Sequence, residues 1–278
     1  MNYTAIIEIP KNGDRRIHFA YNRKDFIDLG RLGDVIPVND GLMPLHYGFI
    51  TTAFNDDEGD EIDVLIFSKN DYKTQDKVAI RPIGMMIRAD GDHKVIAVDE
   101  TVAYQSFSDA PEDEQEKVLA FNGFKHPITS MLDARETIKF LESCAFDPNT
   151  QISALQIRIN KPIEEVFEFV TNPQNTPHWI DTIEKEETSD WPIKVGTLYR
   201  NSNKEGVWSE YIVSMLDDRR DKMFCLKQKD GGYSVKYNLE PTSDGGTKLT
   251  YTEWMKSGPL ENPLKYEALE KLKEIVEQ

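Results

Sequence analysis

The run Ile62-Asp63-Val64-Leu65-Ile66-Phe67, entered through the acidic turn Asp57-Glu58-Gly59-Asp60-Glu61, constrains this chain more than any other stretch. An apolar, β-branched segment of that length reads as a buried strand. The turn ahead of it therefore fixes several carboxylates at the mouth of a rigid element. Crowded carboxylates repel one another and stay ionised only beside cations. Oxygen-only ligand sets suit Mg²⁺, Ca²⁺ or Mn²⁺ better than zinc.

A chain of 278 residues is long enough for two domains. The best boundary is Ala145-Phe146-Asp147-Pro148-Asn149-Thr150-Gln151, where Pro and Asn break a helical pattern and an alternating strand begins. We expect a first domain over 1–145, a linker over 146–151 and a second domain over 152–278. No stretch approaches the ~20 apolar residues of a membrane span. The N-terminus enters a strand directly, without a signal-peptide pattern. Cys144 and Cys225 lie in different halves and read as unpaired thiols. A cytoplasmic setting is the expectation. A net charge of −16 argues against nucleic-acid or membrane partners.

Several short strands with turns between them fill the first half, which suggests a small barrel. The turn Lys11-Asn12-Gly13-Asp14 predicts a hairpin between strands over Ala5 to Pro10 and Arg15 to Tyr21, with residues 22–45 irregular. Two helices close this half. One follows Asp109-Ala110-Pro111-Glu112 and runs to about Asn122; the other spans Leu132 to Cys144. The second half predicts a strand from Ile152, a helix over Ile163 to Val170, and strands near 194–200, 207–216, 222–229, 233–240 and 247–255. It ends in an amphipathic helix carrying Leu264, Ala268, Leu269, Leu272, Ile275 and Val276. A curved antiparallel sheet wrapped on that helix satisfies this α+β order.

A second acidic turn, Asp90 and Asp92, also sits at a strand boundary. If it meets Glu58, Asp60 and Asp63, the five carboxylates can hold two or more divalent ions, which lower the pKa of water and clamp phosphate oxygens. Basic residues to hold phosphate are present in Lys94, Lys125, Arg15, Arg16 and Arg31. A solvated acidic surface is the bland alternative. The Asp-x-Asp-x-Asp-Gly spacing of an EF-hand is missing.

Ile7-Glu8-Ile9-Pro10, Tyr47-Gly48-Phe49-Ile50, Glu58-Gly59-Asp60-Glu61-Ile62-Asp63-Val64-Leu65, Arg81-Pro82-Ile83-Gly84 and Asp92-His93-Lys94-Val95-Ile96-Ala97-Val98 occur in that order. Through these motifs residues 5 to about 144 resemble the soluble family I inorganic pyrophosphatases. The resemblance implies a mainly β fold, a five-stranded OB-type barrel with flanking helices. It implies hydrolysis of pyrophosphate to two phosphates with several Mg²⁺ ions per site, Mn²⁺ being an alternative. It makes Asp60 the general base and Asp63 a bridge between metals. Glu58, Asp90 and Asp92 complete the metal shell, and Glu8 holds metal-bound waters. Lys94, Lys125 and Tyr47 contact phosphate. Arg16 matches a basic residue only with a one-residue gap, and Arg31 matches an arginine only through an insertion. It also implies a homo-oligomer through the first domain.

The sequence departs from the family pattern at four places. Glu58 replaces an Asp, Glu61 replaces the turn Pro, and Phe124 and Met43 stand where phosphate-site tyrosines are usual. Each lost phenol removes a hydrogen bond worth ~1–3 kcal/mol to a charged partner. His18, His46 and His93 read as structural or surface histidines, because hard-metal sites rarely use imidazole.

Lys161-Pro162-Ile163-Glu164-Glu165-Val166-Phe167, Thr171-Asn172-Pro173 and His178-Trp179, followed by the meander and last helix, resemble the START-like/SRPBCC superfamily, which includes polyketide cyclase-like and Aha1-like proteins. The resemblance implies a helix-grip fold with a cavity for a small apolar ligand. Trp208, Tyr237, Tyr251 and Trp254 are candidate lining residues, with Glu210 and Glu253 as polar groups. The leading expectation is a Mg²⁺-dependent pyrophosphatase with a ligand-binding second domain. The alternatives are a weakened pyrophosphatase scaffold serving as a binding or sensing module, and a phosphohydrolase of another diphosphate.

Overall fold

Ile62 to Phe67 forms a strand buried on both sides, as its apolar run requires. In the computed structural model, which describes residues 3–20, 25–55, 59–145, 151–217, 222–230 and 232–278, the chain folds into two compact units. Each is described by itself.

The strands of the first unit are β1 (Tyr3–Ile9), β2 (Arg15–Ala20), β3 (Asp25–Arg31), β4 (His46–Asn55), β5 (Asp60–Phe67), β6 (Lys77–Arg88), β7 (Lys94–Val98) and β8 (Ile128–Asp133). Its helices are α1 (Glu112–Gly123) and α2 (Ala134–Ser143). Sheet order β1-β4-β5-β7-β6 closes by pairing β6 back onto β1, with β8 added outside on β6. Four of the five barrel pairings are antiparallel, and β5 with β7 is the parallel one. This is the OB-type barrel expected from the motifs. Gly48 permits the close approach of β4 to β1. A Cβ there would run into the Ile6 carbonyl and lie 3.0 Å from the Ile7 Cα.

Alternation along β5 sends Ile62, Val64 and Ile66 into a core that includes Leu141 of α2. Leu65 and Phe67 enter a second core with Val118 and Phe121 of α1. Asp63 is the polar position on that second side. Acids at Glu112 to Glu114 open α1 behind Pro111, as expected, and Asp133 caps α2 by accepting the Glu136 amide at 2.8 Å.

Three expectations are corrected here. The Lys11–Asp14 turn does not join a hairpin, because β2 pairs with β3 in a separate two-stranded sheet while β1 takes β4 and β6. Residues 25–31, expected as irregular, are the strand β3. Leu132 belongs to β8, so the second helix starts two residues later than expected.

The second unit comprises β9 (Ile152–Ile159), α3 (Ile163–Thr171), α4 (Thr176–Trp179), β10 (Lys185–Thr188), β11 (Leu198–Ser202), β12 (Trp208–Asp217), β13 (Lys222–Gln228), β14 (Tyr233–Pro241), β15 (Thr247–Met255) and α5 (Tyr266–Val276). Its seven strands run β10-β11-β12-β13-β14-β15-β9, antiparallel throughout. Leu269 and Leu272 of α5 pack with Val166 and Val170 of α3 and the aromatic residues Trp179, Tyr199, Phe224, Tyr237 and Tyr251. The strand expected near 194 begins at Leu198, and β10 had no counterpart in the sequence reading. Neither cysteine forms a disulfide. Among the described residues no helix is long and apolar enough to cross a membrane.

Candidate active site

Parallel pairing of β5 with β7 sets Asp63 in register with Lys94. Tyr47, opposite Leu65 on the antiparallel neighbour β4, is the diagonal partner of Asp63 on the same face. Three residues far apart in sequence therefore meet. The Tyr47 hydroxyl donates to Asp63 Oδ2 at 2.5 Å, and the Lys94 ammonium donates to the same oxygen. Lys94 also donates to Asp92 Oδ1 at 2.5 Å and lies 5.6 Å from the centre of the Tyr47 ring. One buried ammonium is thus shared by two carboxylates and a phenol.

Burial, with Asp92 and Glu8 adding to it against the opposing pull of Lys94, pushes the Asp63 carboxyl up to about 6. Burial and the same carboxylates hold the Tyr47 phenol well above its ordinary range. Burial and the adjacent Asp60 carboxylate push Glu61 up to about 10. The residue in place of the turn Pro is therefore held toward its protonated form.

Asp90 does not join this group through Lys94. Arg88, the last residue of β6, spans the second acidic turn, giving Nη2 to Asp90 at 2.9 Å and Nη1 to Asp92 at 3.0 Å. His126 Nε2 lies 3.3 Å from Asp90 Oδ2. Asp90 Oδ1 is buried without a hydrogen-bond partner. Glu8, 2% exposed, accepts the Phe19 amide at 2.5 Å. Asp60 accepts the Glu61 amide at 3.0 Å. Lys125 is half-buried just beyond α1, Arg16 is half-buried on β2, and Arg31 is exposed at the end of β3. Glu58 lies outside the described residues.

Among the described residues, no three acidic, His or Cys side chains stand close enough to hold one ion. Among the described carboxylates, Asp63 and Asp92 are bridged by Lys94, and Asp90 and Asp92 by Arg88. In kind, the residues still fit a hard divalent cation: the donors are carboxylate oxygens, and the buried Asp90 Oδ1 has no partner. An ion between Asp63 and Asp92 has to displace the Lys94 ammonium or bind beside it.

Residues 5–135 match the family model described as inorganic pyrophosphatase. An inorganic pyrophosphatase of Saccharolobus solfataricus is 32% identical over 131 residues, which cover 44% of this chain and 72% of that protein. This chain belongs to the inorganic pyrophosphatase family. An inorganic pyrophosphatase of Ureaplasma parvum is 34% identical over 101 residues, 35% of this chain, and the match spans 52% of that relative's length. The crystal structure of the inorganic pyrophosphatase from Ehrlichia chaffeensis aligns at 26% identity and a TM-score of 0.45, covering 51% of this chain and 92% of that one. Residues 151–277 match a second family model, described as polyketide cyclase/dehydrase and lipid transport.

In the first unit, Met43 is 2% exposed and packs in the core beside Leu45 and Leu65, while Phe124 is 47% exposed. His46 is structural, as expected: Nδ1 accepts the Lys11 amide at 3.1 Å and Nε2 donates to the Asn70 carbonyl at 3.0 Å. His93 is too, accepting the Arg88 amide at 3.2 Å. His18 is half-exposed on β2, with Nδ1 3.3 Å from Glu8 and Nε2 4.0 Å from Asp60. Sequence reasoning missed Arg88 and His126. Their signal was weak: an arginine four residues before Asp92, and a histidine next to Lys125.

In the second unit Tyr237 and Tyr251 lie in the core, with ring centres 5.1 Å apart. Glu253 is buried and accepts from the Tyr233 hydroxyl at 2.7 Å. Trp254 projects to the opposite face of β15 from Tyr251. Trp208 is a surface residue, with Lys185 and Arg200 over its ring at 5.6 and 5.0 Å. Glu210 pairs at the surface with Arg200 and Lys229.

Proposed function

We propose that the first unit hydrolyses inorganic pyrophosphate to two phosphates with Mg²⁺ bound among Glu8, Glu58, Asp60, Asp63, Asp90 and Asp92. The observation that carries this reading is the meeting of Asp63, Asp92, Lys94 and Tyr47 at one end of the β5–β7 pair. When bound, Mg²⁺ supplies positive charge against the phosphate oxygens and makes water more acidic. Lys94, Lys125, Arg16 and Arg31 offset substrate charge, and Tyr47 donates its hydroxyl. The attacking water forms a bond from its oxygen to one phosphorus as the bridging P–O bond breaks. Its proton passes to Asp60.

Phosphate release from pyrophosphate by the purified chain with Mg²⁺ tests this. Asp60→Asn and Asp63→Asn each lower kcat by ~100-fold or more while circular dichroism stays the same. No phosphate with Mg²⁺, Mn²⁺ or Zn²⁺ from about pH 6 to pH 9 sinks the proposal. One observation favours a second reading, that of a binding module: Lys94 neutralises the two carboxylates an ion would bridge. Calorimetric binding of pyrophosphate without turnover would select it.

For the second unit we infer binding of a small apolar ligand between sheet and α5. The aromatic core and the lipid-transport description of the matching family model support this. Saturable binding of a fluorescent naphthalene sulfonate probe by the native chain checks it.

A further inference from the structure

Arg88 ends β6 in a place fixed on both flanks. That strand pairs with β7 on one side and with β8 on the other, where Arg88 itself stands opposite Ile128. The turn that follows closes on the same residue. The Arg88 carbonyl accepts the Gly91 amide at 3.3 Å, and the Arg88 amide donates to His93 Nδ1 at 3.2 Å. The second acidic turn is therefore shaped by the chain's own groups. Both of its carboxylates fall on one side chain: the guanidinium gives Nη2 to Asp90 Oδ2 at 2.9 Å and Nη1 to Asp92 Oδ2 at 3.0 Å.

An Arg–Asp pair on a solvated surface contributes little. This group is not solvated, since the side chains of Arg88, Asp90 and Asp92 are 8%, 4% and 19% exposed. The guanidinium also keeps its charge across the whole range in which a protein stays folded. An ion bridging Asp90 and Asp92 has to push it off both carboxylates. That leaves a buried cation without a partner, which is strongly unfavourable. Asp92 is engaged on its other oxygen too, where Oδ1 accepts from Lys94. Asp90 Oδ1 is buried without a hydrogen-bond partner, but one oxygen of one carboxylate makes no bridge. A guanidinium and a divalent ion do the same electrostatic work in such a turn, holding two carboxylates together. They differ in that the guanidinium is part of the chain and offers no open position to water or phosphate.

We propose that Arg88 takes the place of a divalent ion between Asp90 and Asp92, so that the site binds one ion fewer than its carboxylates could hold. The inference rests on the metal-dependent pyrophosphatase reading above. It leaves the bound ions to the remaining carboxylates. Without the guanidinium, Asp90 and Asp92 supply what Mg²⁺ or Mn²⁺ needs, since one or two carboxylates completed by waters suffice for a hard ion.

Two measurements on the full chain test this. The first counts bound Mn²⁺ at saturation, from the loss of the free-ion electron paramagnetic resonance signal, in the natural chain and in Arg88→Met. The variant is expected to hold one Mn²⁺ more per chain. The second follows the guanidinium in the natural chain labelled with ¹⁵N-arginine, the Arg88 signals being those absent from Arg88→Lys. Separate, slowly exchanging Nη signals are expected without ions and unchanged at saturating Mg²⁺. This result does not need Arg88→Met to fold. Equal Mn²⁺ counts in the natural chain and a folded Arg88→Met, or collapse of the Arg88 Nη signals when Mg²⁺ is added, overturns the role of Arg88 and leaves the metal-site reading intact. Mn²⁺ bound by Arg88→Met but not by the natural chain supports the role of Arg88 and overturns the metal-site reading for the natural chain. Failure of both proteins to bind overturns the two together.

Discussion

Lys94 is 5% exposed and its ammonium is the common partner of Asp63 and Asp92. Removing one member of a buried charge group leaves the others without compensation, which costs about 3–5 kcal/mol. Lys94→Met is therefore expected to lower the urea stability of the first unit by that amount, and a loss under about 1 kcal/mol would mean that the pair is solvated. The sequence made Lys94 legible because a lysine two residues after an Asp pair sat in an ordered motif. It did not reveal that lysine and acids neutralise one another, because that depends on the Asp63–Lys94 register across a parallel pair. Met43 shows the same limit. A residue in a phosphate-site position reads as a lost phenol, yet burial in a core decides what it does here. His18 reads from the sequence as a structural or surface histidine; half-exposed on β2, it lies 3.3 Å from Glu8 and 4.0 Å from Asp60, neighbours that its position in the sequence does not disclose.

Strands were legible where composition and burial agree and were missed where pairing alone makes them. The apolar run of β5 reads as a strand in any context. β3 is half polar and largely exposed, β8 runs straight into a helix, and β10 is only Lys185–Thr188. Each exists because a neighbouring strand supplies its hydrogen bonds. Short as it is, β10 delivers Glu186 to the inside of the second unit. The carboxyl accepts from the Thr176 hydroxyl at 2.5 Å and the Asn201 amide at 3.3 Å. Burial outweighs both bonds and raises it from the ordinary 4.5 to about 7. The folded chain thus holds this proton more tightly than the unfolded chain. The stabilisation from the bound proton is full below about 4.5 and is lost as pH rises through about 7. Glu186→Gln removes the titration. The variant should gain stability relative to the natural chain between pH 5 and pH 8, read as the second unit's urea midpoint at both pH values. A difference that does not change with pH, or that shrinks toward pH 8, would show that Glu186 ionises freely in the fold.

At the scale of the whole molecule, a chain of net charge −16 is proposed to act on a polyanion. Lysines and arginines near the proposed site act at contact distance, while the summed field acts on the approaching substrate from further out. These two contributions respond differently to salt. The Debye length falls from about 30 Å at 0.01 M to about 8 Å at 0.15 M. Added KCl therefore screens the long-range repulsion before it weakens buried pairs such as Lys94 with Asp63. For a protein whose field attracts its substrate, kcat/KM falls with salt. Here kcat/KM for pyrophosphate, measured well below saturation at fixed free Mg²⁺, is expected to rise by a few fold over that range of KCl. kcat at saturation should stay nearly constant, because the bound complex no longer feels the approach. A steep fall in kcat/KM instead would mean that local cations govern the approach as well as the contact, with the acidic surface turned away from the entry path.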